Sequence, residues 1–366
     1  MLETVLCVDI GTTSLKAGLI SAHGEVVFIC KKYFYDHTNR FVAVKWIHAL
    51  KSALTSFYRK KISDVKITAI SISGNGPTVV SCGGLTLRWN EEFPYNKALT
   101  GTSLFLPKIL AYRDNFPKEF SRTKYLFSGP EYFIYELTGN AITLLPEQRF
   151  AAAYWNDDIL KSDGIEIPPE KMPPFLTMGN ECGRLTQQSA DFLGLEAHIP
   201  VFSAGPDFVA ALIGTNTLAS GKLCDRCGSS EGLNFCIDKF VLSDSLRTLP
   251  SSIPDLWNVS FLIPGSSKMK SDKRLALIKT GIEKLKKLAY DNDIDFPEYF
   301  TVTGGQAKDK KLLYEKAAAV GMEIHVCNCE DSELLGDAVV AYYGLKKYSS
   351  LQEAADNIIK VKKIIK

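Results

Sequence analysis

The opening of the chain constrains the fold most, because short apolar segments alternate with tight turns. Residues 4–10, 15–20 and 25–30 have the length and apolar content of strands, and a glycine lies in each turn between them. Three strands joined in this way form an antiparallel meander. Apolar residues at helical spacing in 41–60 and alternation in 66–73 then predict a helix and a further strand. This order indicates an α/β domain with a mixed sheet.

Composition limits the partners that we expect. The chain has 366 residues, 43 basic and 41 acidic, so its length suggests two domains and its net charge of +2 gives no broad basic surface for nucleic acid. No apolar run reaches the roughly 18 residues of a membrane helix. The nine cysteines and the lack of a basic, apolar leader favour a cytoplasmic protein with reduced thiols. A small-molecule partner is expected, and a homodimer stays open.

The second half of the chain repeats the opening pattern. Residues 226–230 (Arg-Cys-Gly-Ser-Ser) can be laid beside residues 9–13 (Asp-Ile-Gly-Thr-Thr), since both read as a strand end, a glycine and two hydroxyl residues. The match is short and is a weak internal repeat by itself. Strand and helix patterns then alternate up to residue 343. We therefore place a domain boundary near residue 220, with predicted domains 1–219 and 220–366.

The first candidate site is the segment that begins at Asp9 and ends at Lys16. The Gly11-Thr12-Thr13 turn offers backbone N–H groups and hydroxyls to a phosphate, although it is not a Walker P-loop. Asp9 is suited to hold Mg²⁺ through water, and Lys16 adds a cation. An ordinary hairpin with turn-forming residues explains the same segment.

Asp207 is the second candidate. It is a lone acid in an apolar, glycine-rich stretch where a strand meets a helix. It could cap the helix or act as the base of a phosphoryl transfer, and the two roles are compatible because a capping carboxylate is held rigidly and stays ionised.

Two further turns are weak signals alone. Gly304-Gly305 follows a strand and precedes a helix, which lets a nucleotide approach the backbone, and Gly228-Ser229 is a second hydroxyl-rich turn. A structural turn explains either one.

The order of these motifs resembles the FGGY carbohydrate kinase family. The resemblance rests on segments 9–16, 70–74, 106–110, 205–207 and 303–305, which follow one another as in that family. Residues 107–140 are similar to its helical region and residues 301–348 to its C-terminal region. The resemblance implies an actin-like, ribonuclease-H-like two-domain ATPase fold with mixed sheets and a cleft between the domains.

The resemblance also implies roles for particular residues. Asp9 would position Mg²⁺, and Asp207 would be the general base on a sugar or polyol hydroxyl. Domain 1–219 would bind the sugar and carry the first phosphate turn, and domain 220–366 would bind the nucleotide. The residues that would meet ATP are Gly11, Thr12, Thr13, Lys16, Gly228, Ser229, Gly304, Gly305 and Asp309. Asn75 and Trp89 would contact the sugar.

Departures from the family pattern support a second hypothesis. The segment between Gly232 and Gly304 is short, Phe93 stands where the family often has arginine, and Glu231 would oppose phosphates if it pointed toward them. A catalytically silent relative that binds nucleotide or sugar is therefore the alternative to a kinase. Another actin-like ATPase, such as a small-acid kinase, is a third reading.

Other patterns have simpler explanations. Cys224 and Cys227 resemble half a zinc site, but an offset of three on a strand points the two thiols to opposite faces, so buried free thiols are favoured. The lysine-rich segments 284–287 and 360–366 are interpreted as solvated helix faces.

Overall fold

Strand pairing divides the chain into two large sheets. The computed structural model describes residues 1–95, 99, 103–228 and 230–366. The strands, in chain order, are β1 Leu2–Ile10, β2 Ser14–Ser21, β3 Val26–Tyr33, β4 Val65–Gly74, β5 Val79–Ser81, β6 Thr86–Leu87, β7 Leu126–Phe127, β8 Thr143–Leu145, β9 Phe175–Thr177, β10 Gly183–Arg184, β11 Pro200–Pro206, β12 Leu223–Cys227, β13 Glu231–Ile237, β14 Arg247–Pro250, β15 Trp257–Ile263, β16 Tyr299–Thr303, β17 Glu323–Cys327 and β18 Val361–Ile365.

The first sheet has the strand order β10-β11-β4-β1-β2-β3. β1, β2 and β3 form the predicted antiparallel meander, and β4 and β11 add to it in parallel. The sheet is therefore mixed, as the sequence predicts. Two small sheets, β6-β5-β7 and β8-β9, lie in the middle of the chain.

The second sheet repeats the topology of the first. Its order is β14-β15-β13-β12-β16-β17-β18, with β12, β13 and β15 antiparallel and with β16 and β17 parallel to β12. The run β15-β13-β12-β16-β17 thus corresponds to β3-β2-β1-β4-β11. The internal repeat is confirmed, because its two segments occupy the first hairpin of equivalent sheets.

The helices cover the sheets, and α1 lies within the segment 41–60 where apolar spacing predicts a helix. In chain order they are α1 Trp46–Arg59, α2 Leu106–Asn115, α3 Pro117–Arg122, α4 Gly129–Thr138, α5 Ala151–Tyr154, α6 Asp157–Ser162, α7 Gln187–Leu193, α8 Asp207–Gly214, α9 Ser271–Asp291, α10 Lys310–Val320, α11 Ser332–Gly344 and α12 Leu351–Ile358. Within the described ranges, no helix has both the length and the apolar composition needed to cross a bilayer.

One predicted helical segment is a strand. Residues 360–366 were expected to be a solvated helix face, but Val361–Ile365 forms β18, which pairs antiparallel with β17. The prediction fails because the segment gains backbone partners at the sheet edge, which local propensity does not report. The lysine-rich segment 284–287 does lie on a helix, α9, with Lys286 and Lys287 exposed.

Helices α8 and α11 pack so closely that their backbones touch. A Cβ on Gly336 would lie 2.0 Å from the Ala210 carbonyl oxygen, and one on Gly214 would lie 1.8 Å from that of Ser332. Only glycine fits at both positions. This contact brings the start of α11, late in the chain, against α8, the helix that carries Asp207.

Two apolar cores result. The first core lies around the first sheet and includes α11 and α12, although both helices lie between β17 and β18 of the second sheet in the chain. The second core lies between the second sheet and helices α9 and α10. We call these two bodies the first lobe and the second lobe. The division of labour predicted for 1–219 and 220–366 stays a prediction.

Candidate active site

Three predicted site residues follow the carboxyl ends of three adjacent parallel strands. The register pairs Gly74 at the end of β4 with Ile10 of β1 and with Pro206 of β11. Gly11, Asn75 and Asp207, which come next in the chain, therefore lie side by side at one edge of the first sheet. This edge is where open α/β sheets bind ligands.

Thr12 joins two predicted sugar contacts. Its Oγ1 accepts hydrogen bonds from Trp89 Nε1 at 2.9 Å and from Asn75 Nδ2 at 3.3 Å. The Thr78 hydroxyl, which sequence reasoning missed, donates to Asn75 Oδ1 at 2.8 Å and accepts from the Trp89 backbone N–H at 3.2 Å. Trp89 is 37% exposed, so part of its apolar ring faces solvent beside the polar side chains of Thr12 and Asn75. Thr13 is exposed at the tip of the same turn.

Lys16 and Asp9 face each other across the first hairpin. The register opposes them, and Lys16 Nζ lies 3.1 Å from Asp9 Oδ2. The same ammonium group lies 3.1 Å from Asp331 Oδ1 and 3.7 Å from Glu333 Oε2, at the start of α11. Lys16 thus forms ion pairs with three carboxylates of the first lobe. A phosphate that contacts Lys16 would compete with these carboxylates for the ammonium group.

Burial shifts the protonation of this cluster. It raises the pKa of Asp9 to about 7 despite the neighbouring charge of Lys16, and the Glu333 carboxylate adds to the rise. Burial raises the pKa of Asp331 too, but Lys16 and Lys308 overcome this effect and hold that pKa below its usual value. Lys308 Nζ lies 3.0 Å from Asp331 Oδ2.

The donor set of this cluster fits a divalent cation. Asp9 Oδ1 and Glu333 Oε2 are buried oxygens without a hydrogen-bond donor among the described residues. Mg²⁺ takes one or two carboxylates together with waters and phosphate oxygens, so Asp9 and Glu333 could hold it.

Sequence reasoning missed Glu333 and Asp331. The internal repeat contained a signal that could have found them. In the second sheet, β17 and the helix after it, α11, take the place of β11 and α8 in the first sheet, so the acids at the start of α11 correspond to Asp207 at the start of α8.

Asp207 lies at the junction of the two lobes. It is the first residue of α8, and its side chain is 31% exposed. Arg226 of β12 approaches from the second lobe, with Nη2 3.6 Å from Asp207 Oδ1. Burial raises the pKa of Asp207, Arg226 opposes the rise, and Glu333 adds to it. Arg226 was aligned with Asp9 in the sequence repeat, and no role was expected for it.

The two glycine turns of the second lobe lie next to each other. Arg226 pairs with Thr303, so the turns that follow β12 and β16 leave the same edge of the sheet. Gly304 has φ +90°, and a Cβ there would lie 2.5 Å from the Cys227 carbonyl oxygen. Gln306 Nε2 donates to the Gly228 carbonyl at 3.2 Å. Gly228 and Gly304 are thereby brought together, as expected.

The other predicted nucleotide contacts differ in their surroundings. Nothing lies within 4 Å of a Cβ built on Gly305, which leaves space for a ligand above the turn. Asp309 Oδ1 accepts a hydrogen bond from the Leu312 N–H at 3.2 Å and caps α10. Its predicted contact with a nucleotide stays a prediction. Ser229 lies outside the described residues.

Glu231 does not oppose the phosphate turn. It lies buried on the other side of β13, where Lys316 of α10 contacts it and also lies 2.5 Å from Asp225 Oδ2. The Lys316 side chain is fully buried. Burial and the Asp225 charge raise the pKa of Glu231 to about 7 despite Lys316. The expected conflict with phosphates is therefore absent, because the carboxyl points into the second core.

The nine cysteines are free thiols. Cys227 Sγ lies 3.1 Å from Lys316 Nζ, whereas the Cys224 thiol meets the Thr215 and Thr217 hydroxyls on the opposite face. The two thiols therefore cannot share a metal, as the sequence indicated.

The chain is similar in sequence to curated xylulose kinases. The chain is 26% identical over 252 residues to the xylulose kinase of Lactococcus lactis, which covers 58% of this chain and 49% of the relative. It is 25% identical over 295 residues to the xylulose kinase of Staphylococcus epidermidis, and this match covers 70% of this chain and 58% of the relative. The chain spans about half the length of the curated relatives that it matches. No family model matches it.

Solved structures agree on the fold. The glycerol kinase of Plasmodium falciparum, solved with ADP, matches with a TM-score of 0.77 at 16% identity and covers 100% of this chain and 94% of that chain. The gluconate kinase of Lactobacillus acidophilus matches with a TM-score of 0.77 at 15% identity and the same coverage.

The repeated sheets and the facing turns therefore define an actin-like, ribonuclease-H-like protein of two domains. The ordered motifs and the sequence relatives agree with the resemblance to the FGGY carbohydrate kinase family.

Proposed function

We propose that the protein phosphorylates a hydroxyl group of a sugar or polyol with ATP and Mg²⁺, and that Asp207 is the general base. The observation that carries the proposal is the junction of the lobes. Asp207 stands beside the Gly11 turn and Asn75 at one sheet edge, and it contacts Arg226 on the strand that leads into the Gly228 turn. A phosphate held between the two turns would meet a hydroxyl held by Asp207.

The chain's own groups suit each part of this reaction. Thr12, Asn75 and Trp89 form a hydrogen-bonded group at the sheet edge that carries Asp207, and the exposed Trp89 ring offers a face against which a sugar could pack. Backbone N–H groups of the Gly11 and Gly228 turns can orient the terminal phosphates. Such positioning supplies most of the catalysis, because the transition state of phosphoryl transfer is loose.

The proton of the acceptor passes to Asp207. A carboxylate at the start of a helix is held in place, and the raised pKa makes it a better proton acceptor than an exposed aspartate. When bound, Mg²⁺ would neutralise charge on the phosphates, and Asp9 and Glu333 are the residues placed to hold it. Arg226 must release Asp207, or share it, when the acceptor binds.

A silent relative is the second candidate function, and one observation favours it. Arg226 and Lys16 occupy carboxylates that a working kinase needs free for acceptor and metal. In this reading, ligands bind between the lobes but no phosphoryl group moves.

A screen of acceptors separates the two functions. The protein is incubated with Mg–ATP and a panel of sugars and polyols, and ADP release above the acceptor-free rate is measured. Acceptor-dependent ADP release with formation of a phosphate ester supports the kinase. Binding of ATP or of a sugar, measured by thermal shift, without any ester would support the silent relative.

A further inference from the structure

One face of the second sheet gathers two arginines next to Asp207. In antiparallel pairs, residues directly opposite each other share a face. Arg226 of β12 is opposite Gly232 of β13, and Arg247 of β14 is opposite Ser260 of β15. Asn234 shares the face of Gly232 and is opposite Ser260. The two arginines therefore lie on the same face, with β13 and β15 between their strands.

This face looks toward the first lobe. Cys224, two residues before Arg226 on the same face, meets hydroxyls that follow α8, and Arg226 itself reaches Asp207. The opposite face carries Asp225 and Cys227, which meet Lys316 beneath the sheet. The arginines thus line the interlobe space on the side of the candidate base.

The charges of this face are not balanced within the chain. Arg226 has a carboxylate 3.6 Å away, that of Asp207, whereas Arg247 forms no ion pair with any residue that the structure describes. The Nε atoms of both arginines are buried and lack an acceptor within the described residues. Burial, and then the nearby Arg226, lower the pKa of Arg247. Two half-buried cations that repel each other are costly unless an anion bridges them.

The surroundings leave room for such an anion and offer polar partners. Gly232 has no side chain beside Arg226, and a Cβ there would make only ordinary contacts, at 3.4 Å with Leu262 and 3.5 Å with Asn234. Asn234, Asn258 and Ser260 form a buried hydrogen-bonded network on the same face of the sheet, and Ser260 is opposite Arg247. Its Asn258 Oδ1 has no donor among the described residues.

We propose that Arg226 and Arg247 bind an anionic group of the acceptor, so that the substrate is an acidic polyhydroxy compound rather than a neutral sugar. The inference rests on the proposed function, since it places the anion on the molecule whose hydroxyl meets Asp207. A carboxylate or a phosphate ester satisfies two guanidinium groups equally well, because both present paired oxygens. On binding, the anion takes Arg226 away from Asp207 and so frees the base.

The test is a binding experiment without nucleotide. For each chain length of four, five and six carbons, three compounds with the same skeleton are compared: the neutral polyol, its terminal carboxylic acid and its terminal phosphate ester. Calorimetry measures the affinity of the protein for each compound. At least one anion should bind tenfold or more tightly than its neutral counterpart, and whether acid or ester prevails identifies the source of the charge. Equal or weaker binding of every anion overturns the proposal.

Variants locate the effect. Arg247→Gln should lower the preference for the anion by tenfold or more and leave binding of Mg–ATP unchanged. Arg184→Gln, which removes an exposed arginine of the first lobe, is the matched control and should keep the preference. Loss of Mg–ATP binding in Arg247→Gln would assign the arginines to the nucleotide and overturn the proposal, as would an unchanged preference.

The same experiment on Asp207→Asn keeps this proposal separate from the proposed function. Anion binding should persist there, because Asp207 repels an anion and takes no part in holding it. Anion binding without phosphoryl transfer in the wild type would then reject the kinase alone, whereas transfer to neutral polyols only would reject the anion site alone.

Discussion

Arg226 Nη2 lies 3.6 Å from Asp207 Oδ1, and the two residues belong to different lobes. The pair is an electrostatic contact between the strand that leads into the second phosphate turn and the helix that starts at the candidate base. Both side chains are about one third exposed or less, at 27% and 31%, so a ligand can reach and separate them. The separation of this pair couples acceptor binding to the freedom of the base.

The first prediction concerns Lys316, whose ammonium is buried with two carboxyl groups. Lys316→Met should destabilise the protein by about 3–5 kcal/mol, because it leaves Asp225 and Glu231 buried without a counter-charge. Urea unfolding measures the change. Lys287→Met is the control, since it breaks an exposed pair with Asp291 and should cost less than about 1 kcal/mol. Equal effects of the two variants would show that the buried cluster is not needed for stability.

The contact between α8 and α11 gives the second prediction. Gly336→Ala should destabilise the protein by at least about 1–3 kcal/mol, since its Cβ would lie 2.0 Å from a carbonyl oxygen of α8. Activity should fall further than stability explains, because α11 carries Glu333. Gly83→Ala is the control, with its nearest neighbour, Ser81 Oγ, at 3.8 Å. A Gly336→Ala protein as stable as the control would refute the close packing.

The third prediction follows from the raised pKa of Asp9. Its value is about 7 in the folded protein against a usual 3.8, so between these pH values the folded state holds a proton that the unfolded state has lost. Stability of the metal-free protein should therefore fall as the pH rises through this window. The fall should be smaller in Asp9→Asn and unchanged in Asp291→Asn, which removes an exposed carboxylate. Unfolding titrations at several pH values measure it.

Magnesium gives the same prediction a second readout. Mg²⁺ binds the ionised form of Asp9, so its affinity in the presence of ATP should rise with pH up to about 7 and then level off. An affinity that is flat from pH 5 to 8, or the same in Asp9→Asn, would exclude Asp9 from the metal site.

Trp89 gives the fourth prediction. Trp89→Phe keeps an aromatic ring but removes the hydrogen bond to Thr12, which is worth about 0.5–1.5 kcal/mol. Acceptor affinity should fall roughly two- to tenfold, while ATP affinity should stay as it is. Trp155→Phe, which changes a ring stacked on Phe175, is the control. A larger effect on ATP than on the acceptor would move Trp89 to the nucleotide side.

Much of the fold could be predicted because it is encoded locally. The β1–β2 hairpin and its repeat at β12–β13 carry glycine and hydroxyl residues at fixed positions, and α1 lies within the helix predicted over 41–60. Between Ile237 and Tyr299, β14 and β15 were not predicted, and α9 was predicted only at its lysine-rich segment 284–287. β14 has four residues, and the charged α9 has only a narrow buried stripe.

Several candidate site residues were selected because they follow a strand end. Gly11, Asn75 and Asp207 do so, and the parallel register brings the three together, whereas Asp9 lies within β1; the roles expected for them stay predictions. Arg226 was hidden within a strand, and Glu333 looked like an ordinary acid in the first turn of a helix. Their roles depend on contacts between distant parts of the chain, such as the glycine contact of α8 with α11, which no local pattern reports.

The most direct test of the account is single-turnover transfer of the γ-phosphate of labelled ATP by wild type and by Asp207→Asn, with an acceptor that binds the wild type. We expect labelled phosphate ester from the wild type and a rate lower by roughly 10²–10⁴-fold in the variant, with ATP affinity unchanged. Equal rates of ester formation in the two proteins would contradict the assignment of Asp207 as the base.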